Sequence, residues 1–119
     1  MHENEYQAIN EDRCKKIYEF VISMNKSRFV RKGANEVTKC INKGTAKLVI
    51  MAVDSEPPEL TYSLPILCED KGIPFVHISS KRSLGKACSL ERPVIACCIF
   101  IPKDKEGLRV EEKIKELLE

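Results

Sequence analysis

The run Lys47-Leu-Val-Ile-Met-Ala-Val53 has no polar residue after its first position. A strand with one wet face alternates apolar and polar side chains, whereas one that is apolar at every step is covered on both faces. Val94 to Ile101 repeats the pattern, and Pro74 to Ser79 is a shorter strand of the same kind. Between and around these runs the apolar spacing is helical. Glu5 to Asn25 carries Cys14, Ile17, Val21 and Met24 on one stripe, and Val110 to Leu118 reads as a second amphipathic helix. Helices alternating with buried strands predict a three-layer α/β/α sandwich around a small mixed sheet. At 119 residues the chain is expected to form a single domain, 1–119.

The connecting segments follow from punctuation. Ser27 to Val30 reads as a short strand. Lys43-Gly44 and Lys71-Gly72 read as helix stops. Asp54-Ser-Glu-Pro-Pro-Glu59 reads as a turn. Pro65 cannot sit deep in a helix without loss, so a short first turn and a new helix from about Ser63 are expected. Ser80 to Cys88 reads as a basic helix with Leu84 and Ala87 facing inward, and Ser89-Leu-Glu-Arg-Pro93 as a loop.

Composition removes several classes of function. No apolar run approaches a membrane span, so no membrane partner is expected, and the polar N-terminus is not a signal peptide. Six cysteines (Cys14, Cys40, Cys68, Cys88, Cys97, Cys98) include no C-x-x-C pair, and His2 and His77 are the only histidines. Free thiols acting as small hydrophobes fit this better than zinc or disulfides, and they point to cytosol or nucleus. Around Gly85-Lys86 a phosphate loop would need Gly at Ser80 and Ser or Thr at Ala87. Asp54, Glu56 and Glu59 are more simply helix-capping charge than a Mg²⁺ site, and His77 lies inside a strand. The expectation is therefore no enzyme, no metal and no cofactor. A remote alternative is a small metal-dependent enzyme using Asp54, Glu56 and His77.

Charge is informative only in its distribution, since the formal net charge is +2. Lys26 to Lys47 holds seven basic residues against Glu36, Asp54 to Asp70 holds five acidic and no basic ones, and Lys71 to Arg92 holds five basic against Glu91. That arrangement offers a candidate polyanion-binding side. Seven aromatics without Trp provide little for base stacking. Any RNA would be read by polar side chains at strand ends and helix starts.

Arg31-Lys-Gly-Ala-Asn-Glu-Val-Thr-Lys39 is the stretch best suited to that. Ala34, Val37 and Ile41 form an apolar helix face, while Asn35, Glu36 and Lys39 share the other. Lys32 and Gly33 precede the helix, where free backbone N–H groups favour an anion and a small residue allows close approach. Asn and Lys are side chains that read base edges. A solvated surface face would look similar.

Four segments are expected at one end of the sandwich: 31–39, 54–60, 81–86 and 90–92. Arg31 to Lys39, Ala52-Val-Asp-Ser-Glu-Pro57, Leu64-Pro-Ile-Leu-Cys-Glu-Asp70 and Arg92-Pro-Val-Ile-Ala-Cys97, in that order, resemble the ribosomal protein L-seven-Ae family of kink-turn RNA binders. The resemblance runs from the first helix onward, and is strongest to the eukaryotic branch serving the U4 snRNP and box C/D snoRNPs. It implies that Asn35, Glu36 and Lys39 contact the guanines of sheared G·A pairs, that Lys32 and Gly33 sit against the RNA backbone, and that Arg31 is a further RNA-binding residue. It implies that Glu56, Leu60 and Lys86 form the pocket for a flipped-out bulge nucleotide, capped by Leu90, Glu91 and Arg92. It further implies U4 snRNA, box C/D snoRNAs and Nop-domain proteins as partners, a monomer when free, and residence in nucleus and nucleolus. The chain departs from the family in carrying Ser89 where Gly is common, and Pro58 after Glu56. A ribosomal or H/ACA-type member of the family is the alternative.

Overall fold

A computed structural model describes residues 7–55, 59–105 and 107–119, with backbone alone at 59–61 and 108. In chain order the elements are α1 (Glu11–Lys26), β1 (Val30–Lys32), α2 (Ala34–Lys43), β2 (Ala46–Ala52), α3 (Glu59–Lys71), β3 (Phe75–Ile78), α4 (Lys81–Ala87), β4 (Ala96–Phe100) and α5 (Leu108–Leu118). The strands lie in the order β1-β4-β2-β3. β4 runs antiparallel to both β1 and β2, while β2 and β3 are parallel and joined by the α3 crossover. The sheet is mixed, as expected.

Both faces of β2 and β4 are covered, which is why those runs are apolar throughout. Leu48, Ile50, Ala52, Cys97 and Ile99 pack with Cys14, Ile17 and Val21 of α1, Leu84 and Ala87 of α4 and Ile114 of α5. Val49, Met51, Ala96, Cys98 and Phe100 pack with Val37, Cys40 and Ile41 of α2 and Leu64 and Cys68 of α3. The alternation reverses once, at Ala46. A register shift between Ala46 and Leu48 puts Ala46 opposite Phe100 in the α2–α3 core, although Leu48 and Ile50 face the other way. One extra residue in a strand flips every side chain beyond it to the opposite face.

Several boundaries differ from the sequence expectation, each for a reason its hydrogen bonds show. The first helix begins at Glu11 rather than Glu5, because the Asn10 side chain accepts the Arg13 N–H at 2.9 Å and Ile9 N–H donates to His77 O at 2.9 Å. That holds the chain extended along the edge of β3 up to the cap. β1 lies at Val30–Lys32 rather than Ser27–Val30 because residues 27–29 close α1. Phe29 N–H donates to Met24 O and Arg28 N–H to Asn25 O, with Arg28 at φ 66. β1 therefore takes Arg31 and Lys32 from the stretch read as the approach to a helix. β4 starts at Ala96 rather than Val94, since Val94 N–H donates to Lys81 O.

The largest departure is α3, which runs unbroken from Glu59 through Pro65 instead of starting near Ser63. A proline there removes one helical hydrogen bond, at a cost of roughly 3 kcal/mol. Leu64, Pro65 and Cys68 are all buried, and burying a large apolar side chain contributes about 1.5–3 kcal/mol. Packing on α2 and the sheet outweighs the local penalty.

Candidate nucleic-acid interface

β1 passes to α2 through Gly33, whose backbone (φ 97, ψ 147) lies in a region closed to L side chains. Its N–H donates to Ala96 O at 2.8 Å, tying the end of β1 to the start of β4, and its carbonyl accepts Val37 N–H at 3.0 Å, the first bond of the helix. Gly33 has no side chain with which to cap this helix, and among the described residues no other side chain does, so the amides of its first turn are left for an outside acceptor. A Cβ built on Gly33 would meet nothing within 4 Å. The glycine is there for its backbone conformation, and the space above it is open.

Val37 and Ile41 are buried and Ala34 half-buried, which turns Asn35, Glu36 and Lys39 to solvent. Lys39 Nζ lies 3.5 Å from Glu36 Oε2, with the two side chains 65% and 48% exposed. Such a pair contributes little to stability, so both groups can exchange it for a ligand at small cost.

The neighbouring wall is α4 with the loop that follows it. Ser80 accepts Ser83 N–H at 3.1 Å, and Asp54, at the end of β2, accepts Lys81 N–H at 2.9 Å. Asp54 thus serves as a helix cap. Leu90 N–H donates to Gly85 O and Ser89 N–H to Lys86 O, both at 2.9 Å, with Ser89 at φ 64. A Cβ on Gly85 would stand 2.1 Å from Arg92 O, so the loop backbone lies directly on the helix. Lys86, Glu91 and Arg92 are exposed and Leu90 is half-buried against the α1 core.

Electrostatics tie this wall to β1. The Cys88 thiol is drawn below its ordinary value by a hydrogen bond from Cys97, against the opposing effect of burial, with the positive charges of Lys32 and Arg92 assisting. Two cations sixty residues apart in the chain therefore act on one sulfur.

Lys32, Gly33, Asn35, Glu36 and Lys39 form one group at the β1–α2 junction, and Lys86, Leu90, Glu91 and Arg92 another on α4 and the loop after it. Arg31 is placed differently. Its guanidinium stacks on the Phe100 ring at 4.5 Å, two residues along β4 from its ladder partner Cys98. Glu56 and the Leu60 side chain lie outside the described residues.

One contributor escaped the sequence reading, and one residue read as buried is exposed. Asn25, near the end of α1, donates from Nδ2 to Cys88 O at 3.2 Å and steadies the 89–93 loop from across the core. A lone polar residue on an amphipathic helix carries no pattern that would have flagged it. Val53 is 41% exposed at the end of β2, beside Asp54. Its signal was hidden in a run that read as wholly buried. Among the described residues no group of three or more His, Cys, Asp and Glu side chains could hold a metal ion. His77 sits in β3, where burial lowers its imidazole from 6.5 to about 4.

Fold and site together define a class: a small α/β/α sandwich that presents an uncapped, glycine-led helix, and a basic helix with the loop that follows it, at one end of its sheet. Residues 15–109 match the profile of the Ribosomal protein L7Ae/L30e/S12e/Gadd45 family, and the chain belongs to that family. It is 44% identical over 103 residues to NHP2-like protein 1 of Rattus norvegicus, covering 87% of this chain and 78% of that one. To the NHP2-like protein 1 homolog of Dictyostelium discoideum it is 44% identical over 93 residues, covering 78% and 71%. Among solved structures, the Giardia lamblia 15.5kD RNA binding protein superposes with a TM-score of 0.82 at 33% identity, covering 98% of this chain and 99% of that one.

Proposed function

We propose that this chain is a non-enzymatic RNA-binding protein that recognises kink-turns in U4 snRNA and box C/D snoRNAs and nucleates assembly of those particles. The observation that carries the reading is the start of α2: an open seat over Gly33, uncapped amides, and Asn35, Glu36 and Lys39 exposed one turn further on. A phosphate settles on the amides beside Lys32, and the exposed polar groups meet the guanine edges of the sheared G·A pairs. Lys86 and the Leu90–Arg92 loop close over the bulge nucleotide, with Glu56 and Leu60 completing its pocket. Arg31, stacked on Phe100, contributes charge to the approaching backbone. Family membership and the likeness to an RNA binding protein support RNA as the polyanion.

In this reading the chain acts as a single domain, monomeric when free, in nucleus and nucleolus, where Nop-domain proteins then read RNA and protein surface together. A titration against a U4-type kink-turn and against the same stem with Watson–Crick pairs replacing the G·A pairs, at ~0.15 M salt, tests it. Strong preference for the kink-turn is expected, and equal weak binding to both overturns it. Preference for the G·A pairs with indifference to the bulge nucleotide would instead favour a ribosomal or H/ACA-type role.

A further inference from the structure

The loop after α4 is fastened from its own helix, from beneath and from across the core. Along the helix, Ser89 N–H donates to Lys86 O and Leu90 N–H to Gly85 O, both at 2.9 Å. Beneath, the Arg92 carbonyl lies so close to Gly85 that a Cβ there would stand 2.1 Å away. From across the core, Asn25 of α1 donates from Nδ2 to Cys88 O at 3.2 Å and reaches Ser89 Oγ at 3.5 Å. Among the described residues no other side chain bonds the backbone of 88–93.

Ser89 sharpens the point. Its left-handed backbone (φ 64) is one that glycine adopts without strain. Serine keeps a hydroxyl there, and that hydroxyl is the second acceptor of the Asn25 amide. A strained residue persists where its surroundings over-determine it, and such residues collect at ligand clamps. The side chains of the loop divide accordingly. Leu90 is half-buried against the α1 core, while Glu91 and Arg92 stay in solvent. A fixed backbone carrying free polar groups is a wall formed in advance of its ligand.

We propose that Asn25 is a positioning residue for the bulge-nucleotide pocket: by gripping Cys88 O and Ser89 Oγ, it holds the Leu90–Arg92 loop in the one conformation that discriminates among bulge nucleotides. The inference rests on the kink-turn reading above. A pocket wall sorts bases only while it stays in place, and one loose by about 1 Å fits several of them. Rigidity set before binding also spares the ligand the cost of ordering the loop. Without the Asn25 amide, the two bonds to α4 still keep the loop near its place, but only the apolar seat of Leu90 ties it to the α1 core. The effect stops at the loop. Asn35, Glu36 and Lys39 stand on α2, in the layer on the other face of the sheet, so recognition of the G·A pairs does not pass through Asn25.

The test titrates the full chain with kink-turn RNAs that differ only in the bulge nucleotide, with the Watson–Crick stem as control. Asn25→Ala, and Asn25→Asp, which keeps the shape but not the donor, should each lower the ratio of tightest to weakest bulge nucleotide about five- to tenfold, the worth of one hydrogen bond. Both should retain the preference for G·A pairs over the control stem. Amide hydrogen exchange gives a second readout without RNA: Leu90 should be protected in the unsubstituted chain and exchange faster in both variants, while Leu84 of α4 keeps its protection. A bulge ratio unchanged in the variants overturns the positioning role, and so do both preferences falling together, as a general loss of structure would cause. An unprotected Leu90 amide, or equal binding of all bulge nucleotides by the unsubstituted chain with the G·A preference intact, overturns this inference and leaves the kink-turn reading standing. No preference for the kink-turn over the control stem overturns both. The measurements on the unsubstituted chain need no variant, so a poorly folding one does not shield the proposal.

Discussion

At the scale of single residues, the proposed reader can be taken apart by chemistry. If Asn35 faces a guanine edge, Asn35→Ala should cost roughly 1–3 kcal/mol of binding and weaken discrimination for the G·A pairs. Lys32→Ala removes a phosphate contact instead. It should weaken all RNAs alike and flatten the salt dependence of binding, as titrations at several salt concentrations will report. Ser89 makes a separate, structural prediction. The left-handed backbone it holds costs an L side chain about 1–2 kcal/mol, and glycine recovers most of that less its extra unfolded entropy. Ser89→Gly should raise stability by about 0.5–1 kcal/mol, seen as a higher urea midpoint at unchanged slope. His77 adds a pH dependence. Its folded value of about 4 lies below the ordinary 6.5, so the unfolded chain takes up the proton first. Stability should be full above pH 6.5, fall on the order of 2 kcal/mol on acidification toward pH 4, and flatten below. His77→Gln should remove that slope; a slope that persists would place its origin elsewhere.

Among the elements, four helices end the same way, and only half of those ends were legible. Gly44 and Gly72 close α2 and α3 with φ 80 and 71, while Arg28 and Ser89 do the same for α1 and α4 at φ 66 and 64. The glycine stops could be read because glycine advertises positive φ. The other two could not, since Arg and Ser give no signal of positive φ; their turns are closed by Phe29 N–H to Met24 O and Leu90 N–H to Gly85 O. Gly85 shows the converse: a glycine inside a helix, without unusual dihedrals, required because the Arg92 carbonyl rests on it. Gly85→Ala would add about 1 kcal/mol of helix propensity, but it drives a Cβ into backbone and should cost about 1–3 kcal/mol overall. A urea melt checks the sign. If stability rises, the loop is not seated on α4 as described.

For the whole molecule, one sheet shared by two apolar cores is the frame on which the site rests. The ends of β1 and β2, the start of β4 and two helix N-termini lie at one end of that sheet, so a ligand there contacts elements from both layers. Ligand binding should therefore stabilise the entire fold rather than one loop. With kink-turn RNA at 100 times its Kd, mass action adds about 2.7 kcal/mol, which for a chain of this size raises the melting temperature by roughly 10 °C. The Watson–Crick control stem should leave it unchanged. A rise of equal size with both RNAs would assign the effect to general polyanion attraction.

Period and polarity in the sequence determined the layers of this protein: strands apolar at every position had to be covered twice, and the Ala34–Val37–Ile41 face had to leave Asn35, Glu36 and Lys39 outside. These are local consequences of burial and helical geometry, present in any stretch of such composition. Tertiary structure decided what local rules could not weigh. It carried α3 through Pro65 because packing outweighed one lost hydrogen bond, and it moved β1 onto Arg31 and Lys32. It also laid the 89–93 loop on Gly85 and brought Lys32 and Arg92 to a single thiol. Those outcomes depend on contacts between residues far apart in the chain, whose energies exist only once the sheet has brought them together.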